Sequence, residues 1–324
     1  MKILVATQSE VLSADSAGGG MQASKGLDGQ RPTCLAGDAR GSGRVWCGTD
    51  RGIFRSDDAG ASWVASGLQG RRITAIAPGT GEDLVWAGTE PSAVWRSADG
   101  GRSWEQTPDL ERLPSSSEWS FPPRPDTHHV RWIACHPAEP GRLWVAIEAG
   151  ALISTLDGGK SWRDRMSGGP WDTHELAIHP RAPEVLRVAA GDGYFESSDG
   201  GESWRRPREG MEVTYLVSVA MDPGRPEVVV VSGASSPRTA YRPGLSDGRL
   251  YRRVGDARWE RIVNGWPDPP STIAPLVVAG NGAGEIWAAD ERGVHRSDDG
   301  GASWRPASGF PVTPNRLSGI CLSG

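Results

Sequence analysis

Histidine, cysteine and two of the three large aromatic residues are scarce in this chain of 324 residues, which has six histidines, four cysteines, four tyrosines and four phenylalanines. The cysteines form no CxxC pair, so they are typical of small buried thiols and not of a disulfide framework or a zinc site. A basic surplus is also absent, because the net charge is −5 and the pI is about 5.8. This charge argues against a nucleic-acid partner.

Long hydrophobic runs are missing as well. The apolar run KILVA (2–6) at the start of the chain turns polar at Thr7, which makes it too short for a signal-peptide core or a membrane span. It predicts a β-strand instead. We therefore expect a cytoplasmic protein that has no membrane partner.

Tryptophan and glycine are abundant, with 15 and 44 residues, and both recur in a repeated turn of the pattern Ser-x-Asp-x-Gly-x-Ser-Trp. Its copies, with variations, are RSDDAGASW (55–63), RSADGGRSW (96–104), STLDGGKSW (154–162), SSDGGESW (197–204), RSDDGGASW (296–304) and the degenerate YRRVGDARW (251–259). In such a turn Asp accepts backbone hydrogen bonds, Gly supplies a positive φ and Trp covers the hairpin. We interpret the repeat as structural and not as catalytic.

This repeat resembles the Asp-box, or BNR, repeat of sialidases, Vps10-type receptors, xyloglucanases and photosystem II assembly factors. The stretches DTHHVRW (126–132), IEAGAL (147–152) and AAGDGYFES (189–197) also resemble bacterial BNR-repeat, glycosyl-hydrolase-like proteins. The resemblance implies a β-propeller whose boxes lie away from the active face. A sialidase-like site would need an Arg triad and a Tyr nucleophile, but the Arg-Ile-Pro entry motif of sialidases is missing here.

Each copy of the repeat lies in a unit of four short strands, which predicts an all-β, seven-bladed β-propeller with Asp-box hairpins. In this interpretation the whole chain, 1–324, is one propeller domain. The predicted blades are 31–70, 71–118, 127–170, 171–212, 213–266, 271–310 and a blade that joins 1–30 to 315–324. The N- and C-terminal strands would then share one blade and close the ring.

Two insertions interrupt the regular spacing of the repeats, at 111–127 and 233–249. The first follows the fourth strand of a blade, and the second separates the second and third strands of another. Both connections emerge on the propeller face opposite the box turns. Loops that exceed what a repeat requires often carry function, so we predict that this face holds the site.

Charged residues recur at the mouth of the central channel on that face. Alignment of three first strands on their prolines puts Arg72, Arg131 and His174 at one basic position. A weaker alignment adds Arg31 and Arg316, which makes five blades. The turns after the second strands add a ring of acids: Asp50, Glu90, Glu148, Asp192 and Asp290. Either these residues form structural ion pairs, or the Arg groups hold an anionic substrate, with Asp290 as an acid that lacks its Arg partner.

Five of the six histidines lie in two similar stretches, RPDTHHVRWIACHP (124–137) and GPWDTHELAIHP (169–180). His136 and His179 precede prolines at the far ends of their strands, and we interpret them as structural. His129 and His174 are predicted to lie on neighbouring strands at the channel mouth.

This histidine pair allows three kinds of chemistry. His129 and His174, with Glu148 and Asp192, are candidates for acid/base catalysis near neutral pH. The same two histidines, with Glu148 and His128, are candidate ligands for a divalent transition metal. Hydrogen-bonded channel lining without catalysis is the third interpretation.

Aromatic residues could wall a pocket beside these groups. Trp132 and Trp171 fall near the histidine stretches, and Tyr194 and Tyr241 are the tyrosines we assign to substrate binding. Ordinary packing under long loops is the alternative for the tryptophans.

Our first functional hypothesis is a small-molecule enzyme, of hydrolase or lyase type, that acts on a small anionic molecule at the channel mouth. A divalent transition metal is its one candidate cofactor. The second hypothesis is a non-catalytic binding or assembly propeller that grips a peptide or protein partner, and the third is a glycoside hydrolase.

Overall fold

A computed structural model describes residues 1–38, 40–241, 244, 247–268, 271 and 273–323. These residues form seven antiparallel sheets, and the chain is a seven-bladed β-propeller, as the repeat predicts. Within the predicted insertion 233–249, residues 242, 243, 245 and 246 lie outside the described residues, as does Gly324 of the predicted closing strand.

The strands are numbered β1 to β26 in chain order, and the strands of each blade follow one another from the innermost outward. Blades 1 to 3 contain β26 (Leu317–Ser323), β1 (Lys2–Thr7), β2 (Val11–Asp15) and β3 (Gln22–Ala23); β4 (Pro32–Gly37), β5 (Val45–Thr49), β6 (Gly52–Ser56) and β7 (Val64–Ala65); and β8 (Arg72–Pro78), β9 (Val85–Glu90), β10 (Val94–Ser97) and β11 (Glu105–Gln106).

Blades 4 to 7 follow the same order. They contain β12 (Val130–Cys135), β13 (Leu143–Ile147) and β14 (Ala151–Thr155); β15 (Thr173–His179), β16 (Ala182–Ala190) and β17 (Gly193–Ser197); β18 (Tyr215–Asp222), β19 (Arg225–Ala234), β20 (Arg249–Val254) and β21 (Glu260–Arg261); and β22 (Leu276–Ala279), β23 (Ile286–Asp290), β24 (Gly293–Ser297) and β25 (Arg305–Gly309).

Helical structure among the described residues is confined to the two insertions and is short. The first insertion holds the 3-10 turns Leu110–Arg112 and Pro114–Glu118, and the second holds the helix α1 (Pro237–Tyr241). No helix in the described part of the chain has the length and apolar character to cross a membrane.

The sequence of each strand matches its place in the blade. The second strands of blades 2, 4 and 7 read VWCGT, LWVAI and IWAAD and are buried along their whole length. A fully buried strand needs such a continuous apolar run, because both of its faces pack against neighbouring blades. The outermost strands β7, β11 and β21 are two residues long and exposed.

Tryptophans join neighbouring blades. Trp46, on the second strand of blade 2, is fully buried and its indole N–H donates to the carbonyl of Gly100 in the next blade, at 3.3 Å. Trp144 of blade 4 donates in the same way to Gly200, at 3.1 Å. In the other direction, Trp104 donates to the Ser66 carbonyl of the preceding blade, at 2.7 Å. The box turns therefore connect blades as well as strands.

The Asp side chain organises each of the five well-preserved turns. Asp99 accepts hydrogen bonds from the backbone N–H and the hydroxyl of Ser103 at 2.9 and 2.6 Å, and from the Ser97 hydroxyl at 2.7 Å. Similar hydrogen bonds from Ser203 hold the pKa of Asp199 at about 2. Because an unfolded Asp titrates near pH 4, the stabilisation from such a turn is complete above that pH and is lost as the pH falls toward 2.

The four cysteines are free thiols, as their spacing predicts. Burial raises the pKa of Cys34, Cys135 and Cys321 to about 12. These thiols therefore stay protonated and contribute to packing.

The ring closes through the two ends of the chain. Strand β26 pairs antiparallel with β1, from Lys2 opposite Ser323 to Thr7 opposite Leu317, and it contacts the innermost strands of blades 2 and 7 on its two sides. This arrangement is the predicted closure by N- and C-terminal strands in one blade.

Deletion of residues 315–324 is expected to lower the melting temperature by more than about 10 °C, because it removes the innermost strand of blade 1 and exposes the buried Leu4 and Val5. Differential scanning calorimetry measures the change. Val312→Ala, at a side chain that is 77% exposed just before this strand, is the control and should leave the melting temperature nearly unchanged. A truncated protein as stable as the control would refute the closure.

Asp99→Ala is expected to lower the free energy of unfolding by about 1–3 kcal/mol, because it leaves the turn donors without their acceptor. Urea denaturation gives the value. Asp126→Ala, at an exposed residue of the first insertion, is the matched control and should cost less than about 0.5 kcal/mol. Equal costs for the two variants would contradict a structural role of the turn.

Candidate functional site

A cavity of about 600 Å³ opens at one mouth of the central channel. Both insertions contribute to its wall, the first through Phe121, Pro122, Pro123 and Arg124, and the second through Pro237, Arg238 and Tyr241. Blades 1 to 6 supply the remaining lining residues. The two insertions therefore decorate one face, and this cavity lies there.

Each innermost strand of blades 2 to 5 carries one extra residue near the mouth, which forms a β-bulge. The bulge residues are Thr33, Thr74, Arg131 and His174. Two residues before each bulge lies a residue of the rim, and all four rim residues line the cavity: Arg31, Arg72, His129 and Asp172. A bulge re-aims the side chains around it, so these two positions face different surroundings.

The alignment that sets Arg131 and His174 level with Arg31 and Arg72 is therefore wrong. The bulge lies two residues further from the reference proline in blades 4 and 5 than in blade 3. Alignment on the prolines therefore matches the bulge residues Arg131 and His174 with the rim residue Arg72. His129 lies at the rim level, opposite Glu148, and its carbonyl accepts the Glu148 N–H at 3.2 Å.

Ion pairs connect the rim of blades 2 and 3. Asp50 binds Arg31 at 3.4 Å and Arg72 at a shorter distance. Glu90 lies 3.1 Å from Arg72, and its two oxygens accept hydrogen bonds from Nε and Nη2 of Arg124 at 2.8 and 2.7 Å. The predicted pairing of Arg groups with turn acids thus occurs, both within a blade and between blades.

The His129 imidazole forms the closest contact of the site. Its Nε2 lies 2.7 Å from a Glu148 oxygen, and the same oxygen lies 3.5 Å from Nε of Arg131. Burial alone would raise the pKa of the Glu148 carboxyl, but the Arg131 charge and the His129 hydrogen bond hold that pKa well below its usual range. An ionised Glu148 accepts a hydrogen bond from Nε2, so in the neutral ring the proton is on Nε2 and Nδ1 carries the free lone pair.

His129 is enclosed by the first insertion. The Phe121 ring meets the imidazole edge-on with centroids 4.9 Å apart, and the Arg124 guanidinium lies 4.7 Å from the centroid of the same phenyl ring. Nδ1 of His129 is buried and has no hydrogen-bond partner among the described residues. A ligand that reached this nitrogen would meet an unused acceptor.

His174 lies behind the cavity and does not line it. Its ring is buried between β15 and β18, where Nδ1 donates to the Leu216 carbonyl at 2.5 Å and Nε2 lies 3.3 Å from the Tyr215 hydroxyl. The predicted placement of His174 at the mouth is wrong for this reason. The ring still approaches the site, since Nε2 is 3.6 Å from Asp172 and 3.9 Å from Glu148.

Three side chains could hold a metal ion, but they differ from the predicted set. Ligand atoms of Glu148, Asp172 and His174 lie within 4.8 Å of one another. His128 is not among them, because its ring packs edge-on against Trp119 and faces Glu111. Nδ1 of His174 donates to a backbone carbonyl, which is the usual outer contact of a metal-binding histidine.

Two predicted acids lie outside the cavity. Asp290 is fully buried, accepts a hydrogen bond from Ser271 at 2.8 Å and pairs with Arg292, so it is not an acid without a partner. Gly191 lies opposite Asp172, the rim residue of blade 5, and Asp192 is the next residue along the chain. The Asp192 carboxylate accepts a hydrogen bond from the Asp172 backbone N–H at 3.3 Å. Burial raises the pKa of Asp192.

Two predicted aromatic residues also serve packing. The Trp132 indole N–H donates to the Leu176 carbonyl of the next blade at 2.9 Å. Tyr194 is buried against Trp259, with its hydroxyl 3.2 Å from Glu196. Trp171, by contrast, lines the cavity with 44% of its surface exposed.

The sequence interpretation misses several lining residues, chiefly Phe121, Arg124, Arg238 and Tyr215. Three of them lie in the insertions that the repeat spacing assigns to this face. The location of the insertions could therefore have pointed to this part of the cavity wall. No sequence pattern identifies which residues within the insertions line the cavity.

The cavity carries an excess of positive charge. Six guanidinium groups line it, from Arg31, Arg72, Arg124, Arg131, Arg238 and Arg316, against four carboxylates, from Asp50, Glu90, Glu148 and Asp172. Arg238 and Arg316 have no ion-pair partner among the described residues. Both therefore offer an uncompensated charge to whatever enters.

Comparison with curated proteins gives distant enzyme relatives. The chain is similar to xyloglucanase Xgh74A of Acetivibrio thermocellus, with 24% identity over 291 residues, 74% of this chain and 33% of the relative. It is also similar to a xyloglucanase of Paenibacillus sp, with 21% identity over 254 residues, 71% of this chain and 20% of the relative. The chain thus spans a third or less of these relatives. No protein-family model matches it.

Solved structures share the fold. The GH74 enzyme of Niastella koreensis superposes with a TM-score of 0.65 at 13% identity, over 93% of this chain and 53% of that one. YCF48 bound to a D1 peptide gives a TM-score of 0.60 at 18% identity, over 94% of this chain and 84% of that one. At such identities the likeness establishes the propeller architecture alone.

His174→Ala is expected to lower the free energy of unfolding by about 1–3 kcal/mol, because it leaves the buried Leu216 carbonyl without its donor. His179→Ala should cost a similar amount, since that ring bonds the Pro223 carbonyl at 2.9 Å. Thermal denaturation compares the two variants. A His174 variant with unchanged stability would show that the ring is not part of the framework.

Proposed function

We propose that the cavity is the active site of a small-molecule enzyme that binds a small organic anion and transfers a proton through His129. The observation that carries this proposal is the excess of two guanidinium groups over carboxylates in one concave site. Clefts lined by one sign of charge concentrate ligands of the opposite sign.

His129 and Glu148 supply the chemistry in this proposal. Glu148 accepts a hydrogen bond from Nε2–H, orients the ring and stabilises the imidazolium that forms when Nδ1 takes a proton from the substrate. Phe121 excludes water from one side of the ring. A divalent metal bound by Glu148, Asp172 and His174 would polarise the same substrate, as imidazole and carboxylate ligands suit such ions.

A thermal-shift screen tests the ligand class. Small carboxylates and phosphate esters are compared with neutral xyloglucan oligosaccharides, at low and high salt, on protein purified without a His tag and analysed for metal content. Anions should raise the melting temperature, and salt should weaken the effect. Stabilisation by the neutral oligosaccharides alone would refute the proposal.

His129→Ala then tests the proton transfer. Turnover of a substrate found by the screen should fall about 100-fold or more, while binding of that substrate changes little. His136→Ala, at a histidine on the far side of the propeller, is the matched control for loss of an imidazole. Unchanged turnover in the His129 variant, measured per folded molecule, would exclude this residue as the acid or base.

A glycoside hydrolase is the second candidate, and the likeness to xyloglucanases over 74% of the chain favours it. Such enzymes use two carboxyl groups on either side of the scissile bond. In this cavity, Asp50 and Glu90 are each engaged by two Arg side chains, which leaves Asp172 as the acid without an Arg partner. Release of reducing sugar from xyloglucan would support the glycoside hydrolase.

A peptide-binding propeller is the third candidate, since YCF48, which shares the fold, is seen bound to a D1 peptide. A peptide would present its terminal carboxylate to the same guanidinium groups. Binding of peptides that have a free carboxyl end, without turnover and without binding of other peptides, would support a peptide-binding propeller.

A further inference from the structure

Three side chains of blades 4 and 5 bring lone-pair atoms close together at the cavity wall. Nε2 of His174 lies 3.6 Å from Oδ2 of Asp172 and 3.9 Å from Oε1 of Glu148, and the ligand atoms of the three residues lie within 4.8 Å of one another. The two distances from Nε2 are too long for hydrogen bonds. Donor atoms of a tetrahedral zinc site lie about 3.3–3.5 Å apart, given bonds of about 2.0–2.2 Å. The spacing therefore suits an ion shared by the three side chains.

Hydrogen bonds fix which atom of each side chain faces the others. Nδ1 of His174 bonds the Leu216 carbonyl, which can only accept, so the proton of the neutral ring is on Nδ1 and Nε2 carries the lone pair. Oδ1 of Asp172 accepts the Ala149 N–H at 2.9 Å. Oε2 of Glu148 is the oxygen that the neighbouring imidazole and guanidinium contact. Outer contacts of this kind orient the ligands of metal sites.

A cation would satisfy the three atoms that these bonds leave over. The Tyr215 hydroxyl, 3.3 Å from Nε2 of His174, can donate to its lone pair. This contact leaves Oδ2 of Asp172 and Oε1 of Glu148 without a hydrogen bond from the described residues. A proton on Nε2 would reach neither oxygen at 3.6 and 3.9 Å, whereas a metal ion between the three atoms would bind all of them.

Gly191 gives the Asp172 carboxylate its room. A Cβ at this glycine would lie 1.9 Å from Oδ2 of Asp172, and the glycine backbone is not in the left-handed region. The position therefore requires glycine for space alone. Any larger residue would move the oxygen that faces His174.

A second group of possible ligands, on the far side of the propeller, lacks this arrangement. Nδ1 of His136 accepts the backbone N–H groups of Ala138 and Glu139 at 3.2 and 3.0 Å, so the proton of the neutral ring is on Nε2. Nε2 faces Glu139 and Glu184 as a donor. To bind an ion through Nε2, the ring would have to give up both backbone hydrogen bonds. This group is therefore a control and not a candidate.

We propose that Glu148, Asp172 and His174 bind one divalent transition-metal ion, such as Zn²⁺, through Oε1, Oδ2 and Nε2, with a coordination position open to the cavity that both acids line. An imidazole suits such ions, whereas Mg²⁺ and Ca²⁺ prefer oxygen ligands. Three protein ligands with one open position are the pattern of catalytic zinc sites. The use of the ion in a reaction rests on the proposed function, but the binding of the ion does not.

Calorimetric titration of chelator-treated protein without a His tag tests the site in the absence of any substrate. The wild-type chain should bind one Zn²⁺ with a Kd of about 1 µM or below, and Mg²⁺ should bind at least about 100-fold more weakly. Absence of zinc binding, or zinc and magnesium binding of equal strength, would overturn the proposal.

Three variants separate coordination from the general charge of the cavity. Asp172→Asn should weaken Zn²⁺ binding about 100-fold or more, because the amide keeps the shape but loses the charged ligand atom. Asp50→Asn removes the same charge from the same cavity at an acid held by two guanidinium groups, and should change the affinity less than about threefold. Gly191→Ala keeps all three ligands but displaces Oδ2, and should weaken binding about tenfold.

Two results with these variants would overturn the site. One is an equal loss of affinity in Asp172→Asn and Asp50→Asn, and the other is unchanged zinc binding in Asp172→Asn. His136→Ala controls for the group on the far side and should leave both the stoichiometry and the affinity unchanged. Circular dichroism verifies that each variant is folded.

Failure of this inference is distinct from failure of the proposed function. If zinc does not bind but anions still raise the melting temperature of chelator-treated protein, the metal site is refuted and the anion-binding cavity stands. If zinc binds as expected but no anion binds, with or without the ion, the proposed function is refuted and the metal site stands.

Discussion

The extra residue in the innermost strands determines what the channel mouth presents. Each bulge interrupts the pairing between first and second strands close to the rim, so the side chains before and after it have different surroundings. In blades 2 and 3 the bulge holds Thr33 and Thr74, and the Arg stays at the rim. In blade 4 the Arg moves into the bulge, and His129 takes the rim position. One repeated irregularity thus permits a different residue type in each blade without a change in the sheets.

The rim shows how a structural repeat becomes a site. Asp50 lies between Arg31 of its own blade and Arg72 of the next. Glu90 would find its second Arg at the rim of blade 4, but that position is His129, and the first insertion supplies Arg124 instead. The insertion therefore satisfies Glu90 and brings Phe121 over His129. His129 and Arg131 are then left to share Glu148, and the ion-pair pattern of the repeat ends where the proposed chemistry begins.

Much of the fold could be predicted from the sequence, because it follows from local patterns. The turn sequence specifies its own hydrogen bonds, the apolar runs specify buried strands, and the unpaired strands at the two ends specify closure. The functional face follows from loop lengths, and the pattern places His129, Glu148, Arg131 and Trp171 in or near the cavity. It fails for His174, Asp192 and Asp290, because their positions depend on the bulge and on single-residue differences between blades. Such differences alter which side of a strand a side chain faces, and no periodic pattern reports them.

Stability and function occupy different parts of this molecule. The blades are joined by buried tryptophans and box turns, which lie away from the rim, and the ring is closed by the terminal strand pair. Arg31 and Arg72 at the rim contribute ion pairs that are partly exposed, and exposed pairs add little to the free energy of unfolding. The mouth can therefore change its charge and chemistry while the ring stays intact. This separation locates the evidence for function in the few residues at the mouth that depart from the repeat.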